Sequence, residues 1–325
     1  MTYEEALRDI ALADTRYVVL TAENRAAIRN LPAAMNGRFI DTGITEQAMI
    51  GVAAGLALRG RIPVAHALAT FLTMRAFEFI RTDVGIGNLP VKLVGGVPGF
   101  QSEANGPTHQ ALEDVALMRG IPPLGVFCPA DEADLVLGLP AVLASERPFY
   151  IRHIARPAII EHDPRFAIGQ AEQVLDGNDV TILVYGFLFR EAYEAALLLA
   201  AQGVSVRLLN MRTLKPVDET AVLRAARETK LLITVEDHFV TGGLFSIVSE
   251  LLVRAGQITA VLPIALENRW FKPALLGDVL AYEGFTGPQL AQKIVNRQLS
   301  IVNGQRNTEH GLRNTEKPYD QRCAI

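Results

Sequence analysis

The stretch FIDTGITEQAMIGVAAGLALRG, residues 39–60, decides how the fold is read. A strand-like FID runs into a turn, and then into an apolar run whose only acid is Glu46. Ala48, Gly51, Ala53, Ala54, Gly55 and Ala57 make that run a helix which another body can approach closely. A glutamate in a first turn, behind a candidate Thr45 cap, favours the helix dipole, and this ordinary role accounts for most such residues. The small-residue setting asks for more. A carboxylate held there loses solvation, which raises its pKa. A carboxyl titrating near neutrality suits proton exchange with a nitrogen heterocycle.

Working outward, apolar strands alternate with helical patterns. YVVLTAE (17–23), RFID, IPVAHA, PVKLVGG, LGVFCPA and PFYIRH read as strands. Between them TFLTMRAFEFIRTDVG, QALEDVALMRG and DEADLVLGLPAVLAS carry helical spacing. Such alternation implies an α/β fold with a largely parallel sheet. A proline-rich, charged break, RPAIIEHDPRFAIGQ, interrupts it near residues 163–170, and the alternation restarts at VTILVYG. The expected division is residues 1–165, residues 166–303, and a polar tail over 304–325 with no periodicity, expected to be disordered. Each of the two domains is expected to be a three-layer α/β/α unit.

The bulk properties narrow the function classes. The 325 residues are half hydrophobic and one fifth charged, with a net charge of −4. This suits a globular chain with two cores, and gives no basic groove for nucleic acid and no polybasic membrane patch. Two cysteines, Cys128 and Cys323, make neither a disulfide framework nor a zinc site, so a reducing, cytoplasmic setting is expected. No uncharged apolar run reaches the roughly 18 residues of a bilayer span. A G-x-G-x-x-G turn after a strand, a P-loop and a G-x-S-x-G elbow are all missing from the sequence. His66, His153 and His162 show no metal-ligand spacing with nearby acids or cysteines.

A second group of candidates sits in NGPTHQALED (105–114). Thr108 is placed to cap a helix beginning near His109, which would keep that imidazole neutral and useful for hydrogen bonding or proton transfer. Asn105, Thr108, His109 and Gln110 crowd behind the Gly-rich GGVPGFQSEANG, as in a site loop. Arg152, in FYIRH, closes a predicted strand, where open α/β sheets bind ligands, and its guanidinium suits an anionic or hydroxylated substrate. His238, in VEDHFVTGG, follows a strand in the same way.

Together, DTGITEQAMIGVAAGLALRG, GPTHQALEDVALMRGIP, CPADEADL, YIRH and VEDHFVTGGL resemble, in order and spacing, the C-terminal half of the transketolase family. These thiamine-diphosphate enzymes include transketolase, deoxyxylulose-phosphate synthase and the β subunits of 2-oxoacid dehydrogenases. The resemblance covers about residues 5 to 300. It implies a pyrimidine-binding domain followed by a transketolase C-terminal domain, and transfer of a two-carbon ketol unit from a ketose (phosphate) to an acceptor. It matches Glu46 to the family's glutamate on the ring nitrogen of the aminopyrimidine, and Phe71 to the aromatic stacked on that ring. Leu68, Met74 and Glu23 are matched to the coenzyme's surroundings. His109 matches the histidine near the reacting oxygen or donor hydroxyls. Asn105, Arg152, Arg25 and His66 are matched to substrate binding.

The family holds the diphosphate and its metal through a separate domain with a Gly-Asp-Gly motif, absent here. The resemblance therefore implies one subunit of a split enzyme. A companion N-terminal-type subunit would bind Mg2+ (or Ca2+), in an α2β2 heterotetramer, with a small sugar substrate and neither nucleic acid nor membrane as partner. Departures fall on the substrate side. Val97 replaces a histidine, Asn105 an aspartate, Pro98 and Met74 the arginines of deoxyxylulose-phosphate synthase, and Ala27 lies where a phosphate-binding serine is usual. Two rivals follow: a hybrid passing a glycolyl or acyl unit to a lipoyl or carrier-protein acceptor, and a non-catalytic scaffold or regulatory partner.

Overall fold

In the computed structural model, which describes residues 1–267 and 269–302, the alternation resolves into two sheets. The first half supplies β1 (Tyr17–Thr21), β2 (Phe39–Asp41), β3 (Ile62–Leu68), β4 (Lys92–Gly96), β5 (Gly125–Phe127) and β6 (Phe149–Arg152). The second supplies β7 (Glu172–Leu175), β8 (Val180–Val184), β9 (Val206–Asn210), β10 (Thr213–Lys215), β11 (Leu231–Phe239) and β12 (Ala260–Leu266). The strand orders are β10-β5-β6-β4-β3-β1-β2 and β12-β11-β8-β9-β7. All pairings are parallel except β10 on β5 and β7 on β9. Every residue of β1 and of β8 is buried, as expected where helices cover both faces of a parallel sheet. The α/β fold read from the sequence is the one observed.

Two short antiparallel strands had no sequence signal. β7 opens the second sheet, and β10, from the second half of the chain, closes an edge of the first. The first sheet thus crosses the expected boundary at 165. A buried cluster joins the halves at this crossing. His162 bonds Glu172 through Nδ1 and Asp131 through Nε2, each at 2.8 Å. Arg212 pairs with Asp134 at 2.7 Å and Glu172 at 3.1 Å, and Asn210 donates to both carboxylates. Burial alone would lower the His162 pKa, but the bonds to Asp131 and Glu172 prevail and push it up to about 10.

Parallel pairing puts the carboxyl ends of β1, β3 and β4 along one edge, with Thr21 opposite His66 and Leu68 opposite Gly96. Three segments leave from that edge. The first leads through β2 to the helix Glu46–Leu58, which buries Met49, Ile50, Ala53, Ala54 and Ala57 and turns Ala48, Gly51, Val52, Gly55 and Leu58 outward. A Cβ added at Gly51 or Gly55 would meet nothing within 4 Å among the described residues, whose packing therefore does not require those glycines. The second, after β3, winds as π-helical turns at Phe71–Arg75 and Ile80–Gly85 around a short α-turn, Phe77–Phe79. The third is the loop over residues 97–112. The last helix spans Gly287–Val302. The tail over 304–325 lies outside the described residues, and no described helix is long and apolar enough to cross a membrane.

Candidate functional site

Glu46 is the first residue of its helix and only 2% exposed. Gly43, at φ 70°, turns the chain into the helix, and its N–H donates to Asp41 Oδ1 at 2.9 Å. Thr45 does not cap: its hydroxyl donates back to the Thr42 carbonyl at 2.8 Å. Nor is the carboxyl solitary. Arg75 donates to Glu46 Oε2 at 2.9 Å, so the lone desolvated acid expected from the sequence is an ion pair.

Arg75 closes the first π-helical turn, and its guanidinium carbon stands 4.1 Å from the Phe71 ring centroid. The Phe71 ring meets the His109 imidazole edge-on, at 5.1 Å and 66° between planes. Glu46, Phe71 and His109 therefore lie in one unbroken series of contacts. Its link, Arg75, went unremarked in the sequence, although its place four residues after an aromatic on a helical pattern is a readable sign of cation–π contact. The winding that sets the link was hidden, because Phe71, Met74 and Phe77 satisfy ordinary helical spacing. π-turns are frequent at functional sites.

His109 sits in a turn, since the next helix begins only at Asp114. The expected helix-N-terminal histidine is thus corrected: Thr108 Oγ1 bonds His109 Nδ1 at 2.9 Å and caps nothing. The loop is tied across itself. Gly99 N–H donates to Ala111 O at 3.0 Å, Ser102 Oγ to His109 O, and Gln110 Nε2 to Glu103 O at 3.4 Å. Val97 and Glu103 adopt φ 46° and 50°, a conformation costing about 1–3 kcal/mol for such residues. Strain of this kind persists where surrounding contacts enforce it.

The other candidates divide. Leu68 and Met74 are half-buried beside Phe71 in the chain, and Asn105 is exposed on the loop. Glu23 is exposed at φ 61°, with its N–H 3.3 Å from Asp41 Oδ1. Arg25 is also exposed, and its Nε donates to Asp41 Oδ2 at 2.8 Å. His66 departs from the expected substrate role. It is 2% exposed inside β3, bonded to Tyr3 Oη at 2.8 Å and near the Leu20 carbonyl, and burial lowers its pKa to about 3.

Arg152 departs likewise. Its guanidinium is buried between two carboxylates, donating to Asp114 Oδ2 at 2.8 Å and to Asp237 Oδ1 at 2.6 Å. Both ends of the group that was to hold substrate are taken by the protein. Among the described residues Asp237 Oδ2 has no hydrogen-bond partner, and a Cβ on Gly99 would lie 1.6 Å from it, so the second half of the chain presses directly on the site loop. Burial raises Asp237 to about 6, with Arg152 pulling the other way. His238, beside it, is fully buried, and its Nε2 accepts from Ala116 N–H at 3.3 Å.

A planar nitrogen heterocycle fits this geometry. Phe71 offers a ring to stack on, Glu46 a carboxylate to bond to, and a planar guanidinium already makes both contacts. A divalent cation finds less. Asp134, His162 and Glu172 bring their ligand atoms within 4.8 Å of one another, but Arg212 and Asn210 already occupy those carboxylates.

Two family models match the chain. Residues 1–154 match the family described as transketolase, pyrimidine binding domain, and residues 169–290 match transketolase, C-terminal domain. The 6-deoxy-6-sulfo-D-fructose transketolase subunit SqwH of Clostridium sp. (strain MSTE9) is 43% identical, over 77% of this chain and 79% of that one. One of the subunits of the apulose-4-phosphate transketolase of Phocaeicola vulgatus is 33% identical, over 82% of this chain and 87% of that one. Among solved structures, a split-gene transketolase captured as an inactive β4 tetramer superposes with a TM-score of 0.82 at 34% identity, covering 90% of this chain and 96% of that one.

Proposed function

The chain belongs to the transketolase family, and from that premise we propose that it is the β-type subunit of a split transketolase, active only with a companion subunit. The observation that carries this is the Glu46–Arg75–Phe71–His109 series. It sets a buried carboxylate and an aromatic ring for a pyrimidine, in a chain that has no Gly-Asp-Gly for a diphosphate.

Bound thiamine diphosphate supplies the carbanion chemistry that moves a two-carbon ketol unit from a ketose donor to an acceptor. The chain's residues orient it and manage protons. Glu46 holds or yields the proton at the pyrimidine ring nitrogen, and its burial keeps that exchange away from bulk water. Phe71 fixes the ring plane, with Leu68 and Met74 as apolar neighbours, and Glu23 lies at the rim. His109 and Asn105 face the donor's hydroxyls, and Arg25 is the exposed cation for an anionic sugar end. The companion supplies the diphosphate site and its Mg2+ or Ca2+. The outward face of Ala48, Gly51, Val52 and Gly55, which none of the described residues covers, supports close docking of that companion in an α2β2 assembly. Residues 1–165 form the pyrimidine-binding part, and those after 166 the C-terminal part. No observation here favours a lipoyl or carrier-protein acceptor, or a purely scaffolding role.

Reconstitution tests the reading. The chain and its companion, mixed with thiamine diphosphate, Mg2+ and a ketose phosphate, should transfer the ketol unit to an aldose, and neither chain should do so alone. Unaided turnover by this chain, or undiminished turnover by Glu46→Gln in the pair, would overturn it.

A further inference from the structure

We propose that Arg75 is a further residue of the coenzyme site: it holds the place of the aminopyrimidine in the free chain and must swing out before the coenzyme seats. This rests on the functional reading above and concerns the same pocket.

The guanidinium is a flat, nitrogen-bearing cation. It lies 4.1 Å from the Phe71 centroid, and its NH1 donates to Glu46 Oε2 at 2.9 Å. Stacking on that ring and donating to that carboxylate are the two contacts an aminopyrimidine would make there. A carboxylate committed to a guanidinium cannot trade a proton with a ring nitrogen, because the arginine holds its charge in place. The resting chain therefore keeps Glu46 masked.

The arrangement also permits release. The side chain of Arg75 is 39% exposed and that of Glu46 is 3% exposed, so the arginine can leave for water and the glutamate cannot. Glu46 is the only carboxylate that Arg75 meets among the described residues. A half-exposed ion pair and one cation–π contact are individually weak, which suits a placeholder. Once displaced, the guanidinium stays at the pocket mouth as a free cation.

The test is the dissociation constant of thiamine diphosphate for the reconstituted pair, by calorimetry. Arg75→Ala should bind about five- to thirtyfold tighter than wild type, because the occupant is gone. Arg75→Lys, which keeps charge but loses the planar stack, should fall between and serves if the alanine variant folds poorly. In the full chain alone, the Arg75 Nε NMR signal should show hindered rotation that Glu46→Gln abolishes. Equal or weaker coenzyme binding by Arg75→Ala, or a freely rotating Arg75 in the wild-type chain, overturns the inference. If the wild-type pair binds no coenzyme, the functional reading falls and the placeholder falls with it. If it binds and the variants bind no tighter, only the placeholder falls.

Discussion

Arg75 and Arg152 are both arginines on carboxylates, and they could hardly be set more differently. Arg75 meets one carboxylate with its own side chain 39% exposed, whereas Arg152 meets two with 3% exposed. Water can replace what Glu46 gives Arg75, and nothing can replace what Asp114 and Asp237 give Arg152. The sequence suggested the reverse, matching Arg152 to a substrate and leaving Arg75 unnoticed. A guanidinium at the end of a strand is a binding group only if its own protein leaves it unsatisfied.

The sharpest way to break this contrast is at the acid. Glu46→Gln should lower turnover of the reconstituted pair by about 10²–10⁴-fold, the usual range for a positioned proton-transfer group, while thermal melting stays near wild type. A fall in melting temperature matching the loss of activity would mean that Glu46 is structural. Next, the arginines should part in stability. Arg152→Met strands two buried carboxylates and should cost about 3–5 kcal/mol in denaturant titration. Arg75→Met should cost under about 1 kcal/mol, as half-exposed pairs do. Equal costs would erase the distinction.

The His162 cluster extends the contrast to pH. Its raised pKa means that the folded state holds a proton the unfolded state releases near 6.5. Its stabilising effect is therefore full below about 6.5, declines as pH rises, and is gone above about 10. Melting temperature should fall across that window, and His162→Gln should flatten the fall. The smallest effect concerns the outward helix face. Gly55→Ala meets open space among the described residues and should raise the chain's stability by up to about 1 kcal/mol. The same change should weaken association with the companion, seen as slower or incomplete co-elution.

Much of this was legible in the chain. The strands and the helix behind Glu46 follow from apolar runs and small residues, and the structure places them there. What escaped has physical reasons. The π-turns after Phe71 keep the apolar spacing of an α-helix, so no pattern of side chains announces them. β7 and β10 are short strands fixed by antiparallel neighbours far along the chain. The Arg152 environment needs Asp114 and Asp237, which lie 38 and 85 residues away and meet only when both halves close. The Thr45 and Thr108 caps failed because each hydroxyl found a nearer partner, the Thr42 carbonyl and the His109 ring.

β10 carries a last consequence. Residues 213–215 complete the first sheet from the far side of the linker, bonding along β5. Cutting the polypeptide at the linker would strip that edge and leave unpaired amides of a hydrophobic strand facing water, an invitation to stick to other chains. Expression of the first 165 residues alone should therefore yield aggregates. The inseparable unit for engineering or for recombination is the pair of sheets.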